Sequence, residues 1–219
     1  MSQPMSVLYP QILPKVPDAP IPMVQDAIRR AARRFCNESC WVKRTIGNPN
    51  TTTPLLVCTP DVNFLQLVDG SDEEIVMIKD VQIFSITAQR WLPMNPVQPD
   101  SIDPNMTPTL PRQWAFIPYT AIQFDNTPDM AYPIQATVII QPNNETVNLP
   151  DECLRKYDRV IANGALEILM NLPEQPFTDK AMAALLGRSF NSGIGNGKVD
   201  AIRSASMGTT RVRPKRFIV

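Results

Sequence analysis

The sequence predicts an α+β fold: a helical bundle interrupted by a β-rich, sandwich- or barrel-like insertion, with extended arms at both ends. Three observations predict it. Apolar residues recur at helical spacing in 20–40 and again in 149–205. Between them that spacing stops, and short β-branched runs separated by turn residues take over. The apolar stripe of the first helix needs a partner, and the other helices of the 219-residue chain come only after the insertion. The expected parts are an N-terminal arm (1–19), a helical core (20–40 plus 149–205), a β-rich insertion (41–148) with a proline-rich loop (92–113), and a basic tail (206–219).

In residues 1–19, Pro4, Pro10, Pro14 and Pro17 argue against a regular helix. Leu8, Tyr9, Ile12, Leu13 and Val16 make the segment an extended arm that lies on its own fold or on a neighbour. The first helix follows. Pro20 and Pro22 suit its first turn and Asp18 is a candidate cap. Val24, Ala27, Ile28, Ala31 and Phe35 form its stripe. Arg29, Arg30, Arg33 and Arg34 fall on the other side. Such a basic run invites a nucleic-acid reading, but no aromatic residue is interleaved for base stacking. A solvated face, or pairing with acids of an adjacent subunit, is favoured.

Within 41–148, Phe64 to Val68 reads as a strand ended by the turn signal Asp69-Gly70. Ile75 to Ile86 is a long β-branched run with Val81, Ile83 and Phe84 or Ile86 turned inward. Ala115–Tyr119 and Ala121–Phe124 read as strands around Pro118. In Ile134–Gln141, Thr137, Ile139 and Gln141 alternate against Val138 and Ile140. The segment between Trp91 and Trp114 is broken by six prolines, at 93, 96, 99, 104, 108 and 111, and reads as a contact-making loop. The whole insertion is expected to project from the helices.

The second helix opens at Pro150-Asp151-Glu152, where proline and acids suit an N-terminus. Leu154, Tyr157, Ile161, Gly164, Ala165, Ile168 and Leu172 make one apolar face; Val160, Leu166, Leu169 and Met170 lie off it. A helix apolar on more than one side is buried between neighbours. The Gly164-Ala165 notch implies a close approach there, and both residues are assigned to a subunit interface with the four arginines. Pro173 and Pro176 end the helix; Thr178 or Asp179 caps the next, which carries Met182, Leu185, Leu186 and Phe190. Gly187, Gly193, Gly195 and Gly197 predict a bend or break near 193–197, with the helix resuming through Ala201-Ile202. The tail holds Arg211, Arg213, Lys215 and Arg216 before the apolar tip Phe217-Ile218-Val219, a pattern suited to docking on a partner by strand addition or into an apolar pocket.

Composition narrows the function classes. Twenty-one basic and 21 acidic side chains balance, whereas a dedicated nucleic-acid domain is usually basic. The 23 prolines are about twice the ordinary frequency, which fits long, ordered, irregular connections. No apolar run approaches the ~20 residues of a membrane span, and no signal peptide is visible. The chain has no histidine, which removes the commonest general base and metal ligand and any Ser–His or Cys–His pair. Cys36, Cys40, Cys58 and Cys153 are expected as free thiols, without a zinc site. Ser-Gly-Ile-Gly-Asn-Gly-Lys lacks the first glycine and the final Ser/Thr of a phosphate loop. Asp72-Glu73-Glu74 and Asp151-Glu152 are acid clusters with simpler structural explanations, after a turn and at a helix start. No enzyme and no cofactor are expected.

One resemblance adds to this reading. Leu149-Pro150-Asp151, Tyr157, Ile161-Ala162-Asn163-Gly164-Ala165-Leu166, Leu172-Pro173, Pro176-Phe177 and Phe190…Gly193-Ile194 stand in the order and spacing of a known family. So does the segment from Pro20 to Phe35 with the following Trp41, and more weakly Pro118-Tyr119 and Phe124-Asp125…Pro128. With these residues the chain resembles the head-to-tail adaptor (connector, or neck) proteins of tailed bacteriophages, the tail tubular protein A type among them. The resemblance implies a structural virion protein, assembled in the host cytoplasm. It implies a ring of about twelve copies that docks on the portal protein, gives tail or neck proteins a platform and lets genomic DNA pass without sequence-specific binding. The alternative is a nucleic-acid-binding module built on Arg29–Arg34 and the basic tail.

Overall fold

The computed structural model describes residues 2–47, 56–60, 62, 64–67, 73–102, 107–117 and 121–205. Its elements confirm the mixed α+β class. The arm is not extended as expected. After a short strand, β1 (Ser2–Pro4), it coils through a 3-10 turn (Met5–Leu8), a one-turn helix α1 (Tyr9–Ile12) and a second 3-10 turn (Leu13–Lys15). Pro10 and Pro14 each sit in the opening positions of a turn, where the missing N–H has no partner to lose. Prolines that forbid one long helix thus permit several short ones. Met5, Leu8, Ile12 and Val16 are fully buried, so the arm is part of its own core. β1 pairs antiparallel with β11 (Asn148–Pro150), from Ser2 opposite Pro150 to Pro4 opposite Asn148.

α2 (Ile21–Ser39) starts after Pro20, without a side-chain cap from Asp18. The predicted stripe is buried, and Ala32, Cys36 and Ser39 are buried beside it. The helix stops at Cys40, which takes a left-handed φ of 53° and returns its N–H to the Cys36 carbonyl.

Strands β2 (Lys43–Ile46), β3 (Leu56–Cys58), β4 (Phe64–Gln66), β5 (Glu73–Ser85), β6 (Arg90–Pro93), β7 (Asn95–Pro96), β8 (Gln113–Ile117), β9 (Ala121–Phe124) and β10 (Tyr132–Pro142) all lie within 41–148. β10 is the hub of a curled antiparallel sheet ordered β2-β10-β5-β6, with β3 also on β10. Opposite β10 the register of β5 shifts twice, between Thr137 and Val138 and between Ile139 and Ile140. Lys79 and Val76 are the extra residues. Each bulge resets the alternation, so the buried positions of β5 run Ile75, Ile78, Val81, Ile83, Ser85 rather than every second residue. Val81 and Ile83 face inward as expected; Ile86 is 45% exposed and Phe84 only half-buried.

The proline-rich segment carries edge strands rather than one long loop. β6 runs into β7 through Met94, whose N–H reaches Val81 in the first sheet; the next N–H, of Asn95, reaches Arg112 beside the second. The chain therefore crosses from one sheet to the other within two residues. The second sheet is ordered β4-β9-β8-β7.

α3 (Asp151–Met170) and α4 (Lys180–Ala205) close the chain. The expected break in α4 does not occur. One hydrophobic cluster joins α1, α2, α3 and α4 to β5, β8, β9 and β10, and the first sheet meets the helices where β10 packs on α2.

Candidate interaction surfaces

Each arginine assigned to a subunit interface is engaged within the chain. Arg29 Nε donates to the Thr146 carbonyl and its guanidinium lies 3.6 Å from Asp26; Arg30 pairs with Asp26 at 2.9 Å. Arg33 donates to the Pro142 carbonyl and pairs with Glu74 at 2.9 Å. Arg34 pairs with Glu38, donates to Asn191 of α4 and covers the Phe190 ring. Arg29 and Arg33 therefore fasten α2 to the turn after β10 and to the start of β5. The acid cluster is a receiving site for this network. Glu73 and Glu74 open β5, paired with Arg44 and Arg33, and Gln141 also donates to Glu74. Burial pushes the Glu73 carboxyl up, and the Arg44 guanidinium opposes it.

Gly164 and Ala165 are a correction. Both are buried within the chain, and the notch is filled by its own Phe190: a Cβ on Gly164 would lie 2.8 Å from the ring. The close approach is real, but the approaching helix is α4. The same holds along α4. A Cβ on Gly187 would meet Glu167 at 2.6 Å, on Gly193 Val160 at 2.4 Å, and on Gly197 Ser39 at 2.9 Å. Three glycines that each weaken a helix by about 1 kcal/mol let α4 lie close against α3 and α2 unbroken.

A polar seam that the sequence did not announce runs beside them. Tyr157 leaves helical geometry (φ −122°, ψ 20°) and kinks α3. Its ring meets Phe35 at 4.7 Å and Trp41 edge-on at 5.4 Å, and its hydroxyl donates to Asp200 of α4 at 2.6 Å. Lys156 pairs with the same carboxylate at 2.5 Å and lies over the Trp41 ring. The bonds from Lys156 and Tyr157 hold the Asp200 carboxyl below its usual range. Burial, then the bond to Asp200, pushes the Tyr157 phenol well up. Nearby, the thiols of Cys36 and Cys153 touch at 3.3 Å, and that contact plus burial keeps Cys153 protonated.

Two apolar surfaces stay open. On α4, Met182, Leu185, Val199 and Ile202 are 44–67% exposed, opposite the buried stripe of Ala183, Leu186, Phe190 and Ile194. Gly195 lies on that outer side, and a Cβ there would meet nothing among the described residues within 4 Å. On the arm, a groove is lined by Tyr9, Pro10, Leu13, Pro17 and Ile21. The signal for the first was in the sequence: Met182 and Leu185 exceed what one helix face needs. The second depended on how the prolines coil.

The predicted docking residues Arg211, Arg213, Lys215, Arg216, Phe217, Ile218 and Val219 lie outside the described residues, as do Asp69-Gly70, Asp72 and Pro118-Tyr119. Among the described residues no group of three or more His, Cys, Asp or Glu could hold a metal ion, and no helix is long and apolar enough to cross a membrane. Compared with known proteins, the chain matches no family model and no curated protein.

Proposed function

We propose that this protein is a structural head-to-tail adaptor: a ring that docks on a portal and forms the neck platform through which DNA passes. The observation that carries the reading is where the residues of the resemblance meet. Gly164 receives Phe190, and Tyr157 of α3 stacks on Phe35 of α2 and bonds α4 through Asp200. Residues scattered over the sequence thus build one shared helical packing, as expected if the likeness is one of fold. Against the nucleic-acid alternative, Arg29 and Arg33 spend their donors on the chain's own carbonyls and on Glu74.

The test is co-sedimentation with the portal ring of the phage that encodes the protein, alongside free duplex DNA at rising salt. Portal binding with little affinity for the duplex is expected. Duplex binding that falls steeply with salt, without portal binding, overturns the proposal in favour of the nucleic-acid module. Within this reading the basic tail docks on an acidic surface of the portal or of a neighbouring subunit. Deleting 209–219 is expected to leave the melting temperature unchanged and to abolish head-to-tail joining; infectious particles at normal titre from the truncated protein would refute that role.

A further inference from the structure

Two of the four thiols face each other in the joint between α2 and α3. Cys36 lies on the buried side of α2, next to Phe35, and Cys153 lies in the first turn of α3, one turn before Tyr157. The Phe35 and Tyr157 rings meet at 4.7 Å, and in the same joint the two sulfurs are 3.3 Å apart. Both cysteines are fully buried. The other two thiols are engaged elsewhere. Cys58 donates to the Tyr132 carbonyl at 3.4 Å inside the first sheet. Cys40 is half-buried at the end of α2, with its sulfur 3.6 Å from the Asn37 carbonyl.

A disulfide holds its sulfurs about 2.05 Å apart, so this pair needs to close by only ~1.3 Å. The ring contact beside it fixes the register of the two helices at this point. As packing, the pair does little that two other small apolar side chains would not do, because a thiol is a weak donor and a weak acceptor. What it adds is redox chemistry.

We propose that Cys36 and Cys153 form a latent disulfide site, reduced in a glutathione-rich cytosol and closed by a small-molecule disulfide such as oxidised glutathione under oxidising conditions. The inference goes beyond the adaptor reading and does not depend on it. In the first step one protein thiolate attacks a sulfur of oxidised glutathione, and a glutathione thiolate leaves. In the second, the other protein thiolate attacks the protein sulfur of that mixed disulfide and expels the second glutathione. The two cysteines lose two electrons and two protons, and one glutathione disulfide becomes two thiols. In the closed structure neither sulfur can be reached, and a thiol kept protonated by burial is a poor nucleophile. The reaction therefore runs from a locally opened state in which α2 and α3 have parted. Once α2 and α3 close again, the same burial shields the bond from reductants. The bond spans 117 positions and encloses every strand from β2 to β11. Closing so long a loop restricts the unfolded chain and stabilises the folded one.

The test incubates the reduced full chain with oxidised glutathione in urea below the unfolding transition, then digests it without reduction for mass spectrometry. Loss of two of the four thiols and a linked peptide pair joining Cys36 to Cys153 are expected. Four free thiols, a link between any other pair, or glutathione adducts alone overturn the proposal. Without urea the reaction is expected to be at least about tenfold slower; an equal rate overturns the opened-state route. The oxidised protein should melt about 5–10 °C above the reduced one, and an unchanged or lower melting temperature overturns the stapling role. Cys40→Ser, which removes the half-buried thiol, should give the same link and the same rise. Cys153→Ala should lose both; should that variant fail to fold, the peptide map of the unaltered chain still decides.

Discussion

Gly193 and Gly195 stand two residues apart on α4 and answer to different physics. A side chain on Gly193 would overlap Val160, while one on Gly195 would enter open space. The first glycine is explained by the neighbouring helix. The second has a cost to the helix, and no neighbour among the described residues explains it. The inner face of α4 is thus a finished interface, built from Leu186, Phe190, Ile194 and three glycines. The outer face exposes Met182 and Leu185 near one end and Val199 and Ile202 near the other, with exposed Arg188, Ser192 and Asn196 between them. The contrast teaches that burial explains a glycine only where something approaches it, and an unexplained one directs attention outward.

Four measurements test that contrast. The largest effect is expected from Phe190→Ala, which empties the Gly164 notch: a fully buried ring is lost, and chemical denaturation should show a destabilisation of about 3–5 kcal/mol. Gly193→Ala should cost about 1–3 kcal/mol, because Val160 is stiff at χ1 and cannot swing aside freely. A cost near zero would mean that the seam is looser than its 2.4 Å approach implies.

The third measurement is pH dependence, at the Tyr157–Asp200 seam and at Tyr132 of β10. The Tyr157 phenol is held above its usual value of 10.0, and Tyr132 is pushed up to about 12, by burial first and then by the bond to Asp129. The unfolded chain therefore releases these protons first, so stability is full below pH 10 and declines above it. Asp200 has the opposite sign: held below its usual 3.8, it contributes stability that is present above that value and lost as acid protonates the folded state. Tyr157→Phe should flatten part of the alkaline limb and Asp200→Asn part of the acid limb; unchanged limbs would place the linkage elsewhere. The smallest effect is expected from Gly195→Ala. It should stabilise the monomer by up to about 1 kcal/mol, since a helix gains and nothing is displaced.

The helices were legible where one physical cue dominated. Proline and acids marked the start of α3 at Asp151, and the stripe from Val24 to Phe35 marked the buried side of α2. Reading failed where two effects compete and only one shows in the sequence. The glycines of α4 carry a visible helix cost, but the gain from lying against Val160 and Glu167 depends on a neighbour 20 or more residues away. In β5 the β-branched run hides two bulges, because nothing local marks Val76 and Lys79 as extra residues. The arginines of α2 looked like a free basic face; nothing local says that the Thr146 and Pro142 carbonyls will come to meet them. The site reading suffered most: Gly164 and Ala165 were rightly read as a close approach and assigned to the wrong partner.

The pairing of β1 with β11 has a consequence for the order in which the protein can be made. Ser2 finds its partner only at Pro150, and Gln3 bonds Asp151 at 2.5 Å. A ribosome must therefore release Pro150 before β1 can find its partner strand. α2 waits longer still, because Gly197, which packs against Phe35, is near the end of α4. Until β10 and α3 have been made, the stripe from Val24 to Phe35 is an uncovered apolar surface on a nascent chain, and the Phe35 end waits for α4. Such long-range closure slows folding and exposes sticky intermediates, so a chaperone that shields residues 20–40 during synthesis should raise the soluble yield.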